Sequence, residues 1–98
     1  MSLLTSHIVI AELVWTLLSH FKVPKALVVE KLGVLVGAEC LAIADKAVIA
    51  EALVLFGRKN IDFVDAYNAV YLRAAGCTEI VSYDRDFDRL DWVRRREP

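Results

Sequence analysis

Apolar residues recur at helical spacing in four stretches of this chain, and short unbroken apolar runs separate some of them. Ile8, Ala11, Leu13, Trp15, Leu18 and Phe21 form the first stripe, which predicts a helix from His7 to about Phe21 with Ser6 as its N-cap. Val23-Pro24 breaks that pattern, and Pro24 suits the first turn of a second helix running to about Leu35, with Gly37 as its stop. The run Glu39 to Ala44 is short and apolar and predicts a strand. Asp45 is placed to cap a third helix, Lys46 to about Phe56, ended by Gly57. Asp62 is placed to cap a fourth, Phe63 to Ala75, ended by Gly76. Glu79 to Tyr83 reads as a buried strand, Arg85 to Leu90 as one polar turn, and Asp91 to Arg94 as a last short edge strand. Helices alternating with short apolar strands argue for an α/β fold with a mostly parallel sheet.

The length, 98 residues, argues for a single domain, residues 1–98. Apolar residues make up 57% of the chain, above the roughly 45–50% usual for soluble domains. Part of that excess is alanine; the rest predicts apolar surface that meets another chain. No apolar run reaches the ~18 residues of a membrane span. The stretch Ile8 to Leu18 is short and carries Glu12, and no signal-peptide pattern precedes it. The expectation is a cytoplasmic protein without membrane contact. A net charge of −1 provides no broad basic field for nucleic acid. Cys40 and Cys77 stand in no metal-binding or redox spacing and read as buried free thiols, and His7 and His20 as isolated surface or boundary histidines. Trp15, Phe56, Phe63, Tyr67 and Tyr71 fall at helical core spacings and read as packing residues.

The acids carry the chemistry. Glu12 interrupts an apolar helix face, and Asp65 lies in a helix made largely of Val, Ala, Tyr and Leu. Neither has a Lys or Arg three or four residues away, so each needs a tertiary partner or an ion. Asp84 follows the predicted strand, with Ser82 two residues before it and Asp86 two after. Crowded carboxylates raise one another's pKa unless a cation joins them, so a hard-metal site is the first functional expectation.

Three segments resemble the PIN domain, the metal-dependent nuclease fold found in ribonuclease toxins of type II toxin–antitoxin modules. They are SHIVIAELVWTLL (Ser6 to Leu18), IDFVDAYNAVYLRAAGC (Ile61 to Cys77) and EIVSYDRDFDRL (Glu79 to Leu90). The resemblance implies a three-layer α/β/α fold and a site in which Glu12, Asp65 and Asp84 act on substrate and hold Mg²⁺ or Mn²⁺. It makes Asp86 an auxiliary ligand and Ser82 a hydrogen-bonding support. It implies RNA phosphodiester hydrolysis, with Arg85, Arg89 or the run Arg94-Arg95-Arg96 available to RNA phosphates, and a cognate antitoxin peptide as partner. The family begins with a strand ending in an aspartate. Here Leu3-Leu4-Thr5 matches only the end of the family's second strand. The expectation is therefore an N-terminally truncated PIN fold whose first, central strand is absent, with a metal site lacking one aspartate and activity impaired in this chain. Open sheet edges in such a fold predict a homodimer or domain-swapped assembly. The alternative is a non-catalytic PIN remnant acting as a protein-interaction module.

Overall fold

The structure is a computed structural model that describes residues 3–98. Ser6 is extended, and its Oγ accepts a hydrogen bond from the Val9 N–H at 3.2 Å, which starts α1, His7–Trp15. The chain does not continue as α-helix to Phe21. Thr16–His20 form one π-helical turn, closed by the Phe21 N–H on the Thr16 carbonyl at 3.1 Å. Pro24 then leads into α2, Lys25–Gly37, whose buried stripe Val28, Leu32, Val36 keeps a spacing of four. Gly37 is the last residue of that helix, and Ala38 ends it.

The next helix, α3, spans Lys46–Arg58 and buries Ile49, Ala52, Leu53 and Phe56. Gly57 lies inside it, where an added Cβ would meet the Val29 methyl carbons at 3.4 Å, so it marks close packing on α2 and not a helix stop. Asp45 stands before α3 in a left-handed conformation (φ 48°) and makes no side-chain cap. α4, Phe63–Ala74, buries Phe63, Ala66, Ala69 and Val70. It closes as a Schellman motif. Gly76 sits at φ +80°, the Cys77 N–H reaches the Leu72 carbonyl at 2.8 Å, and the Gly76 N–H reaches Arg73 at 3.0 Å. The core is one cluster in which all four helices take part, with Phe56 and Phe63 edge-to-face at 5.8 Å.

The strands are shorter than their apolar runs. β1, Leu3–Leu4, pairs in parallel with β2, Leu41–Ala42. β3, Glu79–Val81, pairs in parallel with β4, Arg94–Arg96. These are two separate two-stranded sheets. The last strand lies further along the chain than Asp91 to Arg94, because Leu90 and Val93 turn inward and are buried. Their turn, closed by the Val93 N–H on Leu90, delivers the Arg94 N–H to the Thr78 carbonyl at 2.7 Å. Arg95 then points inward, held by Asp88 at 3.1 Å and by Glu97 at 3.4 Å.

Two expectations about side chains are corrected. Cys40 and Cys77 are exposed, since both sit in connections at helix C-terminal ends and not in the core. Trp15 is 66% exposed and Tyr71 is also exposed, so these aromatics are not core packing, whereas Phe56 and Phe63 are. His7 is half-buried, with Nδ1 bonded to the Tyr67 hydroxyl at 2.8 Å and Nε2 to the Ala44 carbonyl. Among the described residues, no helix is long and apolar enough to cross a membrane.

Candidate metal centre

Two structural devices converge on one spot: the start of α4 and the turn after β3. Asp65 occupies the first turn of α4, where the helix dipole favours a negative charge. Asp62 precedes the helix in extended conformation, and its side chain makes no cap hydrogen bond. Asp62, Asp65 and Asp86 each present an oxygen, and the three oxygens lie within 4.8 Å of one another. Residues three apart on a helix are neighbours, which sets Asp62 beside Asp65.

Asp86 belongs to a 3₁₀ turn, Arg85–Arg89, and Asp84 is its cap. The Asp86 N–H donates to Asp84 Oδ1 at 2.9 Å, and the Asp84 N–H donates to Ser82 Oγ at 3.0 Å. Ser82 thus shapes the turn that aims the acids. Arg89 Nη1 donates to Asp86 Oδ1 at 2.8 Å and also to the Asn60 carbonyl, which ties the turn to the loop before α4. Arg89 and Arg95 are therefore committed to this scaffold. Among the described residues Arg85 and Arg94 make no ion pair.

Asp65 and Asp84 differ in their electrostatics. Burial, then a carboxyl–carboxyl hydrogen bond with Asp84, then the charges of Asp84, Asp62 and Asp86 push Asp65 up from 3.8 to about 7. Asp84 is held below the usual carboxylate range, first by the Asp86 N–H and then by its contact with Asp65. The Oδ2 of Asp65 is buried and, among the described residues, has no hydrogen-bond partner. A buried carboxylate oxygen left bare is costly, and the oxygens of Asp62 and Asp86 cluster with the Asp65 carboxyl. An all-oxygen acidic set of this kind fits a hard divalent cation such as Mg²⁺ or Mn²⁺.

Glu12 is exposed on α1 and is not among the three clustered oxygens. It lines a groove of about 610 Å³ between α1 and α4, together with His7, Trp15, Tyr67 and Asn68. A second cavity of about 510 Å³ shares Ala11, Trp15, Phe63 and Val64 with that groove and reaches Asp62 and Asp65. Sequence reasoning missed Asp62, taking it for a cap only. The signal was present in its spacing of three from Asp65.

These features, an α/β domain with parallel strands and an acidic cluster at the end of a strand, are those of a divalent-metal nuclease family. The PIN domain family profile matches residues 2–93, and the chain belongs to that family. Comparison with curated proteins and with solved structures gives no significant match. Families of this kind are nucleases in general and depend on divalent metal.

Proposed function

We propose that this chain is a PIN-type ribonuclease of the toxin class, hydrolysing RNA phosphodiesters in the cytoplasm at a Mg²⁺ or Mn²⁺ site. The observation that carries the proposal is the buried, partnerless Oδ2 of Asp65 among the oxygens of Asp62 and Asp86. Asp65, Asp84 and Asp86 are the ligands of this reading, with Asp62 as a further carboxylate and Glu12 contributing from α1. The ion, when bound, lowers the pKa of a bound water and offsets charge on the leaving oxygen. Burial and its acidic neighbours favour a proton on Asp65, and a cation held there would favour the ionised carboxylate instead. Asp84 stays ionised, and Ser82 and Arg89 hold the turn so that Asp86 keeps its aim. Arg85 and Arg94 are free to meet RNA phosphates.

The test is cleavage of a single-stranded RNA in Mn²⁺ and in EDTA, with Asp65→Asn and Asp84→Asn as controls. Cleavage in Mn²⁺ alone, lost in both variants, supports the reading. Equal cleavage by the variants sinks it.

One observation favours a second reading, an interaction module. The sheet is in two pieces, and Leu4 (84%), Val81 and Tyr83 are exposed beside those strands. A second copy of the chain, as homodimer or swapped assembly, or an antitoxin peptide would cover this surface. A monodisperse monomer by light scattering at micromolar concentration excludes the self-assembled form.

A further inference from the structure

We propose that the groove between α1 and α4 holds an unpaired RNA base, stacked on Trp15 and read along its edge by Asn68. The inference rests on the ribonuclease reading above and adds a base-binding site with two named residues. Trp15 stands where the two cavities meet: one side leads to Asp62 and Asp65, the other to Asn68 and Tyr67. A base held there belongs to a nucleotide adjoining the acidic cluster.

The walls have the chemistry of a base site. A nucleobase has two apolar faces and a polar edge. The groove offers exposed apolar surface from Ile8, Trp15 and Val64, and its volume of about 610 Å³ lies in the range of small-ligand pockets. Trp15 is 66% exposed, so its ring is not consumed by packing. Glu12 and Thr16 line the groove from α1 and the turn after it, and the remaining polar groups divide into two kinds. His7 and Tyr67 are bonded to one another and to Ala44, which makes them a fixed wall. Asn68 is half-buried, and among the described residues its amide makes no side-chain hydrogen bond. An amide carries both donors and an acceptor, which is what a base edge needs. A base inside a duplex cannot reach such a groove, so the substrate is single-stranded.

Two readouts test this. In steady-state cleavage of a single-stranded RNA, Trp15→Ala raises KM about tenfold with kcat little changed, and Trp15→Phe restores most of the loss. A wild-type KM in Trp15→Ala overturns the base site and leaves the ribonuclease reading standing. If the wild-type chain cleaves nothing, the ribonuclease reading fails, and fluorescence decides the groove. In Trp92→Phe, Trp15 is the one remaining tryptophan. Its emission is quenched by a single-stranded oligoribonucleotide and much less by the same strand made abasic. Equal response to both, or a response to protein concentration in place of RNA, overturns the inference and assigns the groove to self-association.

Discussion

The carboxyls of Asp65 and Asp84 meet between the first turn of α4 and the turn after β3, and they are driven apart in acidity. Asp65 is raised to about 7, and Asp84 is lowered. Burial and the neighbouring acids favour the protonated form of Asp65, while the Asp86 N–H favours the ionised form of Asp84.

That arrangement sets how stability responds to pH in the absence of metal. The folded chain holds the Asp65 proton more tightly than the unfolded chain does. Stability from this group is therefore full below the unfolded value of 3.8 and is lost as pH rises towards about 7. Asp84 has the opposite sign, but its effect falls below the ordinary carboxylate value and outside this window. In EDTA the wild type melts lower at about pH 8 than at about pH 5, and Asp65→Asn flattens the difference. The effect is about 1–2 kcal/mol once solvent screening is allowed for, or roughly 4–8 °C in Tm per kcal/mol. Thermal melts of both proteins at the two pH values check this.

Asp62 separates a cap from a ligand. Loss of a side-chain cap costs a helix about 1 kcal/mol. Asp62 makes no such bond, so Asp62→Ala leaves the melting temperature in EDTA nearly unchanged or raises it, because it removes a charge facing Asp65. The same change weakens Mn²⁺ binding several-fold. A melting temperature that drops while Mn²⁺ affinity holds would return Asp62 to its role as a cap.

Gly76 connects the fold to the site. Its φ of +80° lets α4 close and turn into β3, which carries the acidic turn behind it. Gly76→Ala meets no steric neighbour, so its cost is the backbone strain alone, about 1 kcal/mol. Urea unfolding checks the value, and a cost near zero would mean that the left-handed turn is not required.

The helices were legible because their buried residues repeat at three and four: Val28, Leu32 and Val36 in α2, Ile49, Leu53 and Phe56 in α3. Ser6 and Pro24 marked starts, and Gly76 an end, for local reasons that no tertiary contact overrode. The π-helical turn at Thr16–His20 left no mark in the pattern, since it keeps apolar Leu17 and Leu18 where an α-helix would also place them. The last strand was missed because its residues are arginines. Arg95 points inward, where Asp88, Glu97 and the Ser82 carbonyl receive it, a relation that periodicity does not carry. In the candidate site, Asp65 and Asp86 were legible and lie together with Asp62, and Asp84 adjoins them. Asp62 was hidden because an aspartate before a helix looks the same whether it caps or faces a neighbour. Glu12 was legible as an unpaired acid, and the fold sets it in the α1–α4 groove, outside the three-oxygen cluster.

The claim on which the rest depends is that a divalent cation binds at Asp65. Calorimetric titration of the purified chain with Mn²⁺, run near pH 7 in two buffers of different ionisation enthalpy, tests it directly. One site, release of a fraction of a proton on binding, and loss of both signals in Asp65→Asn are expected. Saturable binding that survives unchanged in Asp65→Asn, or no binding to the wild type at millimolar Mn²⁺, would contradict it.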